Sequence, residues 1–344
     1  MEKKIIISCL PVAGIENPYQ YLMMKGLQAD SRLKVRNGIH DRFWGILRTA
    51  AIQRPDYIHF DWETSYYYRR QLWMTIINIP FFMLQVYLAR YIFGCKLVWT
   101  PHNIIPHDSK YWKIHRFCRR FFARQMKWIR LFSEISIPNA VQEFQCSSDK
   151  FKIIPEGSYI GYYPNSILPK EARSLLNISE NKKVILHLGL IKPYKGIATL
   201  IESFLRSLED NLVLIIAGRV MDVSYLESIK KFINENIILK DHFIKEEELQ
   251  VYFNAADVVV LPFEKIENSG TVILAMGFKK PVIAPKMGLL MERLKNQTEL
   301  LYEKSLEQSF EVLKQLSKEK LEQIGENNFQ SLSNYKWSDF AKAF

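Results

Sequence analysis

Short apolar runs recur through the second half of the chain, at 184–190, 212–217, 237–243, 258–263 and 282–284, and they constrain its fold more than any other feature. Each is too short for a stable helix, so each reads as strand-like, and the run at 258–263 as a buried strand. The segments between them have helical spacing, as with Ile197, Leu200, Ile201, Phe204, Leu205 and Leu208. Strands alternating with helices predict a parallel, doubly wound sheet. The first half carries the same rhythm, with apolar runs at 4–10, 57–60, 96–100 and 135–137.

The expected fold class is therefore α/β, and 344 residues with 48% hydrophobic content suffice for two such cores. The stretch 155–183 holds Gly157, Gly161, Pro164 and Pro169 in a polar setting, which is turn and linker chemistry. It predicts domains at 1–165 and 166–325. A last helix at 326–344 is expected to cross back to the first domain. The opening M-E-K-K-I-I-I-S-C-L reads as a first strand rather than a signal peptide, so the chain is expected on the cytoplasmic side. Cys9, Cys95, Cys118 and Cys146 form no C-x-x-C pair and are expected as reduced, small hydrophobes.

A formal charge of +11 and a pI near 9.3 favour an anionic partner. Two segments bear on a membrane. Residues 71–89 are uncharged and approach the length of a bilayer span, but Thr75, Asn78, Pro80 and Gln85 interrupt them. With Arg69 and Arg70 before and Arg90 and Lys96 after, no orientation is favoured, and a buried or membrane-surface helix is expected. Residues 111–132 set Lys113, Arg116, Arg119, Arg120, Arg124, Lys127 and Arg130 among Trp112, Phe117, Phe121, Phe122 and Trp128, with no acid. Such a helix fits an anionic lipid surface, or else packs on its own sheet with a solvated basic face. No recognition helix, RNP-like run or zinc-finger spacing supports nucleic acid as the partner.

The chemistry concentrates in two loops. Residues 261–271, L-P-F-E-K-I-E-N-S-G-T, join the end of a strand to a helix start at Ser269, Gly270 and Thr271, where exposed N–H groups favour phosphate. The helix V-I-L-A-M-G-F closes at Lys279, Lys280 and Pro281. Upstream, V-I-L-H-L-G-L-I-K-P-Y-K-G at 184–196 brings Gly189 to a strand end, with Lys192 and Lys195 placed to neutralise a diphosphate.

The order G-x-x-x-P-Y-K-G, the I-I-A-G turn at 215–218, A-A-D-V-V-V-L-P-F, the Ser-Gly-Thr loop and K-P-V-I-A-P resembles the carboxy-terminal domain of GT-B glycosyltransferases over residues 184–286. The resemblance implies two Rossmann-like doubly wound domains facing a central crevice. It makes Gly189, Lys192, Lys195, Ser269, Gly270 and Thr271 ligands of the donor diphosphate, and Glu264 or Glu267 acceptors of sugar hydroxyls. Leu274 stands where many retaining members carry a ribose-binding glutamate, which leaves the stereochemical outcome open.

Y-I-H-F-D-W-E at 57–63 and K-L-V-W-T-P-H-N-I-I-P-H at 96–107 resemble the subgroup that extends lipid-linked exopolysaccharide or glycoconjugate precursors. A base near the acceptor hydroxyl is then expected, with His102 first and Asp61 in reserve. Asn103 and His107 lie on the same loop, His59 reads as structural, and Glu63 as a helix cap. Gly14 and Asn17, in the loop after the first strand, are further candidates for the donor phosphate. The implied reaction moves a hexose from a nucleoside-diphosphate sugar, GDP-mannose favoured, to a polyprenyl-diphosphate-linked glycan at an anionic inner-leaflet surface. No Asp-x-Asp motif or metal-ligand spacing is present, and no cofactor is expected. A UDP-sugar epimerase or hydrolase, and a non-catalytic basic membrane-binding or nucleic-acid-binding protein, are the alternatives.

Overall fold

The apolar runs of both halves fold as strands of parallel sheets. The computed structural model describes residues 3–14, 18–104, 110–207, 209, 211–264 and 268–344. These divide into two compact units, Met1–Gly157 with Tyr335–Phe344, and Ser158–Asn334. The division falls inside the Gly- and Pro-containing stretch 155–183.

In the first unit the strands are β1 (Ile5–Leu10), β2 (Leu33–Asn37), β3 (Tyr57–Phe60), β4 (Lys96–Trp99), β5 (Trp128–Leu131) and β6 (Phe151–Ile153), in the order β2-β1-β3-β4-β5-β6. All pairs are parallel, with Cys9 opposite His59 and His59 opposite Val98. The order reverses between β1 and β3, so the loops leaving their carboxyl ends diverge and expose a ligand-binding edge. Phe60, Tyr67, Phe82, Trp99, Phe122 and Phe144 fill the core beside the sheet.

Several expectations for this unit change. Residues 135–137 are not a strand: a 3-10 turn, Glu134–Ser136, leads into the helix Ile137–Phe144. The Ser133 side chain accepts from the Ile135 N–H and Pro138 opens the helix, so local capping outweighs the alternating Ile135 and Ile137. Trp128 and Arg130 lie on β5, not on the basic helix, which ends at Gln125. The helix Lys318–Leu332 stops before the terminus, and Trp337–Ala343 is a 3-10 segment within the first unit. There Trp337 lies so close to Gly26 and Gly157 that a Cβ on either would meet it at 2.5 Å.

In the second unit the strands are β7 (Lys183–Leu188), β8 (Leu212–Ala217), β9 (Ile237–Lys240), β10 (Val258–Val260), β11 (Val282–Pro285) and β12 (Leu301–Tyr302), in the order β12-β11-β10-β7-β8-β9. The sheet is again parallel, and its order reverses between β7 and β10. β8 is buried along its whole length. On one face the helix Ile197–Arg206 inserts Ile197, Leu200, Ile201 and Phe204, the spacing read from sequence. Leu208 of that pattern lies outside the described residues.

Candidate active site

The loops that carry the second unit's motifs leave β7 and β10, the two strands that flank its switch point. Their approach is set by glycine. Gly196 has φ +71°, and a Cβ there would stand 2.0 Å from the Pro262 carbonyl oxygen, so only glycine lets the 192–196 turn touch the loop after β10. Gly189 and Gly218 form a second such contact: both have positive φ, and a Cβ on Gly218 would meet the Gly189 oxygen at 1.7 Å.

This contact places the Lys195 ammonium 4.7 Å from the Phe263 ring centre and 5.3 Å from that of Tyr194. Burial, reinforced by the Lys192 charge, lowers the Lys195 pKa to about 8. An anion beside it would relieve both causes. Lys192 is half-buried, its ammonium 5.7 Å from the Tyr194 ring centre. Beneath the loops, His187 and the Val260 carbonyl tie β7 to β10 at 3.0 Å, and burial lowers this imidazole to about 4.

Past β10 the chain opens the helix Gly270–Gly277 with Ser269 as N-cap, its side chain accepting from Val272 N–H. Gly270 is exposed and Thr271 half-buried, so the first turn is open to solvent at the residues expected to hold phosphate. The helix dipole favours an anion there. Glu264 is exposed; Glu267 lies outside the described residues. Leu274 is half-buried on this helix, with no carboxylate to offer.

The first unit joins the two residues expected to serve as alternative bases. His102 follows β4, Asp61 follows β3, and His102 Nε2 lies 3.2 Å from Asp61 Oδ1. The carboxylate side chain is fully buried and the imidazole is 18% exposed. Nε2 therefore carries the proton and donates, which leaves Nδ1 with the basic lone pair. The ring stacks on Trp62 at 4.7 Å and 11°, and Tyr19 meets it edge-on at 4.6 Å.

Asp61 also accepts from Gln20 Nε2 at 3.1 Å. Burial raises the Asp61 pKa, but the His59 and His102 rings and the Gln20 amide outweigh it and hold the group below the usual carboxylate value. His59 is lowered to about 4 by burial, so it is neutral at neutral pH and the other partners dominate. Its Nε2 bonds Thr100 Oγ1 at 2.8 Å, a structural role matching its reading from sequence. Gln20 further donates to the Pro11 carbonyl and accepts from Ala13 N–H, fixing the start of the loop after β1, in which Gly14 is exposed. Asn17 and His107 lie outside the described residues.

Glu63 is not a cap. Its carboxylate accepts from Arg119 Nε at 2.7 Å and Trp99 Nε1 at 3.1 Å, while Arg119 Nη1 donates to the carbonyls of Asn103 and Ile104. This buried pair braces the His102 loop. It also removes Arg119 from the lipid-facing role expected of it. Arg116 pairs with the Glu143 carboxylate, and Arg120 donates to the Glu143 carbonyl. Buried Arg130, on β5, donates to Tyr19 Oη and to the carbonyls of Ile154 and Pro155. Tyr19, Gln20 and Trp62 escaped the sequence reading because their neighbours come from other strands; only the place of Trp62 just after β3, and of Tyr19 and Gln20 at the start of the helix Pro18–Gln28 that follows β1, hints at them. All four cysteines are free, and no cluster of metal-binding side chains occurs among the described residues.

Residues 170–331 match the family model described as glycosyl transferases group 1. A GDP-mannose:glycolipid 4-beta-D-mannosyltransferase of Xanthomonas campestris pv. campestris is 24% identical over 256 residues, 72% of this chain. The aligned part spans 66% of that relative, just under two thirds of its length. Among solved structures, Anabaena HepE in complex with UDP-glucose superposes with a TM-score of 0.74 at 16% identity, covering 99% of this chain and 98% of HepE. Sucrose-phosphate synthase from Thermosynechococcus elongatus gives 0.71 at 15% identity, covering 99% and 97%. Residues 170–331 thus match the group 1 glycosyl transferases, and the chain has the GT-B fold.

Proposed function

We propose that the chain transfers a hexose from a nucleoside-diphosphate sugar, with GDP-mannose favoured, to a hydroxyl of a polyprenyl-diphosphate-linked glycan at the cytoplasmic face of a membrane. The observation that carries the donor half is the Gly196–Pro262 contact, which brings the Lys195 turn against the loop leading to Ser269. The activity of the Xanthomonas relative, a GDP-mannose:glycolipid mannosyltransferase, supports mannose, guanosine and a glycolipid. HepE is described with UDP and UDP-glucose, which makes uridine the competing base.

In this reading the acceptor O–H gives its proton to His102 Nδ1 as its oxygen bonds the anomeric carbon. The bond from that carbon to the diphosphate breaks, and the diphosphate keeps the electron pair. Lys195, Lys192 and the Gly270–Thr271 N–H groups stabilise its charge. Asp61 does not touch substrate; it holds the His102 tautomer and steadies the imidazolium.

The test incubates the full chain with GDP-mannose or UDP-glucose and a polyprenyl-diphosphate-linked glycan, alongside nucleotide titration calorimetry. Mannosyl transfer with tighter GDP than UDP binding is expected. Absence of both transfer and nucleotide affinity would sink the proposal.

A further inference from the structure

The helix Leu72–Tyr91 has its polarity reversed relative to an ordinary surface helix. Its polar side chains point inward: Thr75, Asn78 and Gln85 are buried together with Phe82, Val86 and Ala89. Thr75 Oγ1 bonds the Arg69 backbone, and Gln85 bonds Phe43 O and Leu47 N–H. The outer face carries Trp73, Ile76, Ile77, Phe81, Leu84 and Tyr87, all exposed, at helical spacing. Exposed Trp44 meets Phe81 edge-on at 5.9 Å and carries this surface onto a neighbouring turn. An apolar surface of this extent marks a contact with something apolar.

The surrounding charge identifies the occupant. Between Glu63 and Glu134 the sequence has a single acid, Asp108. Exposed Arg42 and Arg70 adjoin the patch in sequence, Arg69 lies over the Phe43 ring at 5.3 Å, and Arg90 over the Tyr91 ring at 4.9 Å. Apolar and aromatic side chains bordered by cations match the acyl boundary and headgroups of an anionic bilayer. A span is excluded by packing. Phe82 lies 5.1 Å from Tyr67 and 5.4 Å from Phe122 in the core, so crossing a bilayer would strip these contacts and carry Thr75, Asn78 and Gln85 into hydrocarbon.

We infer that the helix Leu72–Tyr91, with Phe43 and Trp44, lies in the plane of an anionic lipid surface and embeds its outer face there. The inference deepens the proposed reaction and rests on it for its purpose, since a lipid-linked acceptor is reached from such a surface. The anchor is this helix and not Trp112–Gln125, whose Arg119 is spent in the buried pair with Glu63.

The test sediments the full chain with phosphatidylcholine vesicles containing about one third phosphatidylglycerol, and with pure phosphatidylcholine. The variant W73S/I77S/F81S/L84S alters only exposed positions, and its fold is checked by circular dichroism and melting. M221S/V223S, at exposed positions of the second unit, is the control. The quadruple variant is expected to lose about tenfold or more in partitioning, and the control little. Tryptophan fluorescence of the parent is expected to shift blue with anionic vesicles and to be quenched by lipids brominated near the headgroup, and the Trp73→Phe variant to show less of both. A parent chain that stays in the supernatant, or a quadruple variant that sediments like the parent, overturns the inference. So does a self-associated parent that the four substitutions disperse without any vesicle binding, because a second copy is then the occupant. Nucleotide titration of the same proteins keeps the two proposals apart: lost vesicle binding with intact donor affinity sinks only the anchor, and the converse sinks only the transferase.

Discussion

The two units share a topology and differ in what their loops hold. Each is a six-stranded parallel sheet whose order reverses once, and each places its candidate chemistry on the loops flanking that reversal. In the second unit those loops meet through backbone, with Gly196 against Pro262, and present a crowded cation and an open helix start. In the first they meet through side chains, with His102 on Asp61 and Glu63 on Arg119. A shared sheet supplies the address, and in the proposed reaction the loop chemistry divides donor from acceptor work.

The largest expected effect tests that division. His102→Ala should lower turnover about 10²- to 10⁴-fold while nucleotide affinity, measured by calorimetry, stays within error. Asp61→Asn should reduce turnover less than His102→Ala, because Nδ1 remains and only its tautomer control is lost. Equal loss of donor affinity in either variant would mean that the first unit does not have a separate role. Glu63→Gln comes next. It leaves the buried Arg119 guanidinium without a counter-charge and should cost about 3–5 kcal/mol in chemical denaturation. By contrast, Arg124→Glu, at an exposed position, should leave stability nearly unchanged.

These same sites explain how much was legible in the sequence. The two motif loops of the second unit were readable as strand-end loops because their glycines, lysines and Ser-Gly-Thr follow directly on strands that are continuous apolar runs. The first unit was harder. The pairing of His102 with Asp61, and the Gln20 amide that completes it, depend on the order in which β1, β3 and β4 lie side by side. Over so short a window, Trp128 and Arg130 fit helix and strand spacing equally well, and β5 is decided by its place between β4 and β6. β2 is an edge strand alternating buried and exposed residues, so it lacks the apolar run that revealed the others. The helix Leu72–Tyr91 was legible as a helix, but the inward turn of its polar side chains required the fold.

Lys195 offers a sharper comparison through pH. Its value of about 8 lies below the ordinary lysine value of 10.5, so between these limits the unfolded chain binds more protons than the folded one. Stability from this group therefore rises with pH across that window. Donor affinity should run the other way, because a bound diphosphate needs the ammonium: it should be level below about pH 8 and fall by up to about tenfold per unit above it. Lys195→Met should weaken nucleotide binding about 10- to 100-fold at pH 7 and flatten the profile. A retained decline in the Met variant would assign the titration to another group.

The smallest effect separates a cap from a ligand site. Ser269 and Asp222 both cap helices of the second unit, but their geometries differ. Asp222 Oδ1 accepts from Tyr225 N–H at 3.0 Å, whereas Ser269 Oγ accepts from Val272 N–H at 3.4 Å, and that N–H already reaches the Ser269 carbonyl at 3.1 Å. The Ser269 hydroxyl thus adds little to its helix, and Ser269→Ala should cost only about 0.5–1 kcal/mol. Asp222→Ala should lower the melting midpoint further, since it removes the shorter bond and its partner Ser224. If Ser269 serves the donor, the order inverts for nucleotide affinity: Ser269→Ala weakens GDP binding severalfold, and Asp222→Ala leaves it alone. Parallel changes in stability and affinity for both variants would reduce Ser269 to a cap and leave Gly270, Thr271 and Lys195 as the anion site.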